Sequence, residues 1–322
     1  AHPDAPEIFK MRYGVDGFRD TACTLADAPE APLPARRFHV APEGDDNANG
    51  TATAPFASLE RARDAIRQLR TDGDFEDVAV LLAPGRHPRS TTFALERRDG
   101  GSETGRVVYA AMPGKDAPIL DGGIRIPSSR FQPVSDPSIL ARLPEAARGR
   151  VIVADVPERP AGQNAFGVGV NHRAALMLVA DDDALLPPAR WPDAGFIAQT
   201  NMQGEAARTL LLDEPRAMRW LTAEAPMAHG YWRHDWADAA LPVAFARPND
   251  GPVAMTLRDS HCYGLSARPR FYVLNLLEEL DAPGEWHYDA GTAKLYLLTP
   301  SGGMPRTLTL TALDKPLVAI EG

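Results

Sequence analysis

The stretch that decides the fold is Arg270-Phe271-Tyr272-Val273-Leu274-Asn275-Leu276-Leu277-Glu278-Glu279-Leu280-Asp281-Ala282-Pro283-Gly284-Glu285-Trp286-His287-Tyr288-Asp289, followed shortly by Lys294-Leu295-Tyr296. Phe271 to Leu274 is a β-forming run, Pro283-Gly284 is a turn, and Leu295 to Leu298 is a second β-forming run. The residues between them read first as structure: Trp286 packs, and Asp281 or Glu285 satisfies backbone donors at the turn.

Working outward, the punctuation by 30 Pro and 26 Gly divides the chain into short segments. Phe38-His39-Val40-Ala41-Pro42-Glu43-Gly44-Asp45-Asp46-Asn47 leads through Gly50 and Pro55-Phe56 into Ser58. There Leu59, Ala62, Ile66 and Leu69 recur at helical spacing, with Ser58 as N-cap and Thr71-Asp72-Gly73 as stop, so one amphipathic helix of about three turns is expected. Short strands follow at Val78 to Leu82, Thr92 to Leu95, Arg106 to Ala111 and Ile119-Leu120, separated by Pro84-Gly85, Asp99-Gly100-Gly101, Pro113-Gly114 and Asp121-Gly122-Gly123. Strands this short with no helices between them make either a sandwich or the first coils of a solenoid. Further β runs lie at Val151 to Val153, Ala175 to Val179, Val253 to Leu257, Thr307 to Thr311 and Leu317 to Ile320.

Both the 270–296 stretch and the Phe38 to Ile66 segment resemble signatures of secreted right-handed parallel β-helix proteins that act on carbohydrates, glycoside hydrolase-like enzymes carrying a β-rich insertion. The resemblance covers roughly residues 38 to 322. It implies a mainly β fold: a parallel β-helix whose first coils are capped by the N-terminal helix, with an inserted β-barrel or β-sandwich lobe. The expected division is 1–37 as an extension or linker, 38–126 as cap helix and first coils, 127–305 as the inserted domain, and 306–322 as the return to the helix. Because Leu317 to Gly322 is a strand pattern without a closing element, the chain reads as the front part of a longer protein whose partner is the rest of its own β-helix. Secretion or a periplasmic location goes with the resemblance.

Composition narrows the function classes. A 322-residue chain that is 44% hydrophobic can bury a large core, and its length fits about two domains. The formal net charge of -9 argues against nucleic-acid or anionic-membrane partners, which need a basic face. Cys23 and Cys262 are the two cysteines; they exclude a disulfide framework and a multi-cysteine zinc site, and a bridge between them needs geometry that distant thiols seldom meet. No apolar run approaches the ~18 residues of a membrane span.

Most catalytic motifs fail. Gly167-Val168-Gly169 lacks the third glycine of a dinucleotide site, and there is neither a Gly-Lys-Ser/Thr phosphate loop nor His-Glu-x-x-His. No cofactor or metal is expected. Asp45, Asn47, Asn49 and Gly50 imitate half of a calcium loop, but Phe56 stands where the bidentate carboxylate belongs, so a turn is the better reading.

Gly230-Tyr231-Trp232-Arg233-His234-Asp235-Trp236-Ala237-Asp238 is the strongest binding candidate. Sugar rings present apolar C–H faces flanked by hydroxyls, so Trp232 and Trp236 beside His234 and Asp235 suit a saccharide groove. The competing reading is core, since aromatic residues are more often buried than binding. The segment also resembles a Gly-Tyr-Trp, Asp-Trp pattern of the same family, as Ala189-Arg190-Trp191-Pro192-Asp193 resembles another. Arg190 beside Trp191 could grip a uronate or sulfate, against the alternative of a structural salt bridge.

Glycoside hydrolysis needs two carboxyl groups, and the pattern does not select a pair from 43 acidic residues. In the resembling enzymes the catalytic groups project from later coils, so the catalytic residues are expected beyond Gly322. The expected activity is hydrolysis of a polysaccharide or oligosaccharide. A polysaccharide lyase or epimerase, or a non-catalytic glycan-binding β-helix surface protein, remains open, because the fold hosts all of these.

Overall fold

Ser58 accepts a hydrogen bond from Arg61 N and starts the helix Leu59–Thr71, which buries Leu59, Ala62 and Ile66. This is the helix the apolar spacing predicts, and it belongs to a computed structural model that describes residues 32–101, 105–156, 176–181, 184–198, 208–313 and 315–321. The expected linker over 1–37 and the Ala175 end of its β run lie largely or wholly outside the described residues, as does Cys23.

The chain forms two compact units. In the first, Arg36–Val40, Val78–Leu82 and Val107–Ala111 form a parallel three-stranded sheet. Val78–Leu82 is central and buried throughout, as its unbroken apolar sequence requires. The helix packs on this sheet through a core of Val40, Phe56, Leu59, Ala62, Ile66, Val78, Val80 and Phe93. Phe93–Glu96 pairs in parallel with Val318–Glu321. The half calcium loop is a turn: Asp45 Oδ1 accepts from Asn47 N, and Asp46 accepts from Ala57 N, Ser58 N and Ser58 Oγ.

The second unit, built on 121–317, is antiparallel throughout its described strand pairs. Its largest sheet has the order Arg190–Trp191, Arg270–Leu274, Met227–Tyr231, Asp238–Ala246, Val253–Leu257, Thr209–Leu212, with Ile197–Ala198 also on Arg270–Leu274. Both faces of this sheet are covered. Tyr272 and Leu274 join a core with Met227, Trp286, Tyr288, Leu295 and Leu310, while Phe271 and Val273 alternate into another with Leu210, Trp220, Ala228 and Trp232. Two smaller sheets complete the unit: Trp286–Asp289, Lys294–Leu298, Val151–Asp155, Gln132–Pro133, and Leu185–Leu186, Leu178–Ala180, Thr307–Thr311, Gly123–Pro127.

This corrects the expected fold. The protein is mainly β, but its sheets are mostly antiparallel, and the described residues form no parallel β-helix. The physical reason is connection length. Met227–Tyr231 returns as Asp238–Ala246 after six residues, and a link that short permits only antiparallel pairing, whereas parallel neighbours need crossovers of a dozen residues or more. Among the described strands, parallel pairing is found in the first unit, where the helix supplies such a crossover between Arg36–Val40 and Val78–Leu82; the second unit has one isolated parallel bridge, Pro188 with Trp286.

Candidate functional site

Because both faces of the large sheet are buried, chemistry is available at its two ends. The register places Arg190, Met227 and Leu274 together at one end and Tyr231, Asp238 and Arg270 at the other, separated by the length of a five-residue strand, roughly 15 Å.

At the first end the chain leaves Leu274 through Asn275, whose φ of 60° is made tolerable by its side chain: Oδ1 accepts from Tyr288 N at 3.0 Å and Nδ2 donates to Tyr288 O at 3.2 Å. The following turn buries two glutamates, Glu278 and Glu279. Arg142 Nε donates to Glu278 Oε1 at 2.8 Å. Glu279 accepts from Trp220 Nε1 at 2.6 Å and pairs with Arg216, whose guanidinium lies 3.6 Å above the Trp191 ring. Buried carboxylates are kept only when paired and hydrogen-bonded, and both of these are.

Beyond them, oxygens of Asp193, Asp281 and Glu285 lie within 4.8 Å of one another. Burial pushes Glu285 up to about 7, against the pull of two backbone amides, and the nearby Asp281 and Asp193 add to the rise. Burial also raises Asp281. A cation could touch all three groups, yet Glu285 Oε2 already accepts from Asp281 N at 3.0 Å and Ala282 N at 2.9 Å. Arg216 reaches Asp281 at 3.4 Å. The cluster therefore braces the turn.

Arg190 is similarly committed. Its Nε donates to Pro192 O and its Nη2 to Gly195 O, both at 2.7 Å, while its guanidinium lies 3.5 Å above the Tyr272 ring. Two nitrogens of its fork are thus used on its own turn, by carbonyl oxygens rather than by the partner of a salt bridge. Trp191 is half-buried beneath Arg216.

The opposite end is different. Here the connections 232–237 and 258–269 lie side by side, joined by Ser266 N to Trp232 O at 2.6 Å and Arg233 Nη1 to Leu265 O at 3.0 Å. Trp232 is fully buried, stacked on Phe271 at 5.5 Å, with Nε1 donating to Ala239 O. It belongs to the core, not to a groove. Four residues later Trp236 is 59% exposed. Its ring lies parallel to that of His234, 5.3 Å away and 5° from coplanar orientation, and Tyr263 meets it edge-on at 5.1 Å. Asp235, also exposed, accepts from Arg270 Nη2 at 2.7 Å.

The structure thus gathers His234, Asp235 and Trp236 into one exposed aromatic shelf and separates them from Trp232, Arg190 and Trp191. Tyr263, 47% exposed, and the buried His261 beneath it were not anticipated from sequence. The signal available was the cluster His261-Cys262-Tyr263-Gly264 in a breaker-rich segment, which becomes informative only once the two connections are known to be neighbours.

No protein-family profile and no curated protein matches the chain. Among solved structures it is similar to a glycoside hydrolase, with a TM-score of 0.69 and 19% identity over 88% of this chain and 47% of that one. The chain thus spans about half the length of that protein. A second structure, a complex of XylC with xylose, shares 17% identity over 70% of this chain and 32% of the other, with a TM-score of 0.29. The first similarity establishes a shared fold. Among the described residues no helix is long and apolar enough to cross a membrane.

Proposed function

We propose that this chain holds a saccharide for a glycoside hydrolase, with the His234–Trp236–Tyr263 shelf as its carbohydrate contact. The observation that carries the reading is the exposure of large aromatic rings on connections that are otherwise well hydrogen-bonded. Exposing Trp236 and Tyr263 forgoes hydrophobic stabilisation that the same residues would gain in the core, and flat rings beside polar donors match the C–H faces and hydroxyls of a sugar. The fold shared with a glycoside hydrolase supports hydrolysis as the reaction. We assign no catalytic pair: the three close carboxyls sit at the far end of the sheet and brace a turn.

The test is a titration of the protein with an oligosaccharide panel, followed by Trp236→Ala. The variant should fold with a near-normal melting temperature and lose saccharide affinity; unaltered affinity would remove the shelf from the reading. Polysaccharide digestion should release reducing ends without the ultraviolet absorbance of an unsaturated uronate. Appearance of that absorbance would change the reaction to elimination.

A further inference from the structure

The charge carried by the two connections is opposite to that of the protein as a whole. The chain has a formal net charge of -9, yet these connections and the adjoining strand end carry Arg233, Arg258, Arg268 and Arg270 against Asp235 and Asp259. Asp238, which opens the next strand, is buried and turned to His229 at 3.0 Å. Asp235 is already neutralised by Arg270. Arg233 is exposed, and the group that holds it is the Leu265 carbonyl, which fixes one nitrogen of the guanidinium without cancelling its charge.

A second observation points the same way. His261 is 4% exposed, and its Nδ1 accepts from Tyr263 N at 3.3 Å. That bond leaves the imidazole proton on Nε2. Nε2 is buried and has no acceptor among the described residues. His261, whose ring lies 5.8 Å from that of Tyr263, thus adds an unmet donor to the same pair of connections, and Arg233, held at Leu265 O, offers a guanidinium fork whose geometry suits a planar anion.

We propose that the shelf selects acidic saccharides, glycans bearing carboxylate or sulfate groups, over neutral ones. The proposal rests on the shelf being a saccharide site. The rings of Trp236 and His234 take the apolar sugar face, and Arg233 takes the anion.

The probes are short uronides, each compared with the neutral oligosaccharide obtained by reducing its carboxyl groups, titrated by calorimetry against the full chain. The uronide should bind about tenfold more tightly at low salt, the size expected of one charge-assisted hydrogen bond, and the gap should narrow as salt is raised. Arg233→Gln should weaken the uronide far more than its neutral counterpart. Trp236→Ala should weaken both. Equal affinity for the two forms, with Trp236→Ala still abolishing binding, would overturn acidic selection and leave the shelf standing. Absence of binding by either form would overturn the shelf, and the selectivity with it.

Discussion

Glu285 and His287 lie two residues apart, on either side of Trp286, and hold opposite protonation preferences, which makes them a matched pair of pH probes. Burial raises Glu285 from 4.5 to about 7, and burial with the nearby Arg142 lowers His287 from 6.5 to about 4. Between pH 4.5 and 6.5 the folded protein therefore keeps a proton on Glu285 and off His287, while the unfolded chain does the reverse. The raised Glu285 contributes stability that is present below its unfolded value and lost as pH rises toward 7. The depressed His287 contributes stability that is present above its unfolded value and lost as pH falls toward 4. Across this window the two slopes cancel. Glu285→Gln keeps an acceptor for the amides of Asp281 and Ala282 but removes the titration, so the variant should gain stability with rising pH, relative to wild type, by about 1.4 kcal/mol per pH unit. Over two units that is about 3 kcal/mol, or roughly 6–12 °C for a unit of this size. His287→Gln should give the opposite relative slope. Glu279, Asp281 and Asp289 also titrate differently in the folded state, but they are common to all three proteins and drop out of the comparison. Tryptophan fluorescence is the assay, because all five tryptophans, Trp191 to Trp286, lie in the second unit. Melting profiles against pH that run parallel in wild type and Glu285→Gln would refute the buried, protonated carboxyl.

Three further outcomes follow from the packing. Trp232→Ala should cost about 3–5 kcal/mol, as truncation of a fully buried aromatic does, whereas Trp236→Ala should cost about 0.5 kcal/mol; equal losses in denaturant melts would contradict the division between core and shelf. Gly230→Ala should fail to fold or lose more than about 3 kcal/mol, because its Cβ would stand 2.2 Å from Arg270 O and 2.6 Å from Phe271 Cα, and a wild-type melt would show that these strands are not so close. Asn275→Ala should cost more than Asn275→Gly by about 1–2 kcal/mol, since both lose the Tyr288 bonds and glycine alone accepts φ near 60° without strain; equal costs would refute the left-handed backbone.

The sequence was legible where an apolar pattern or a turn-forming pair stood uninterrupted. The helix after Ser58, the strands Val253–Leu257 and Thr307–Thr311, and the turn at Pro283-Gly284 follow from local pattern alone. The central strands Met227–Tyr231 and Asp238–Ala246 lie in the interior of the same doubly covered sheet as Val253–Leu257 but carry weaker local signals. His229 and Gly230 interrupt the first, and Pro242 interrupts the Leu241, Val243, Phe245 alternation of the second, which has one β-branched residue. Missing that hairpin removed the evidence for antiparallel pairing, and short strands about a dozen residues apart then suited a solenoid as well as a meander. The shelf was half legible: Trp236, His234 and Asp235 stood in one quoted cluster, but Tyr263 and His261 reach them only through the pairing of Asp238–Ala246 with Val253–Leu257.

The buried network at the far end gives the most distinctive residues of the chain a structural task. A glutamate taken fully out of water costs several kcal/mol before it is paired. Glu278 and Glu279 therefore each require an arginine held at the right distance, and Arg142 and Arg216 come from segments 136 and 63 residues away. Such a turn forms only when those distant segments have arrived, which ties the register of the Arg270–Leu274 strand to the rest of the unit. A sequence spelled Asn275 to Asp289 is in this sense a wiring rule for the fold. At the opposite end Trp236 and Tyr263 lie outside the core, so the proposed saccharide shelf can be altered by substitution without disturbing any of that wiring.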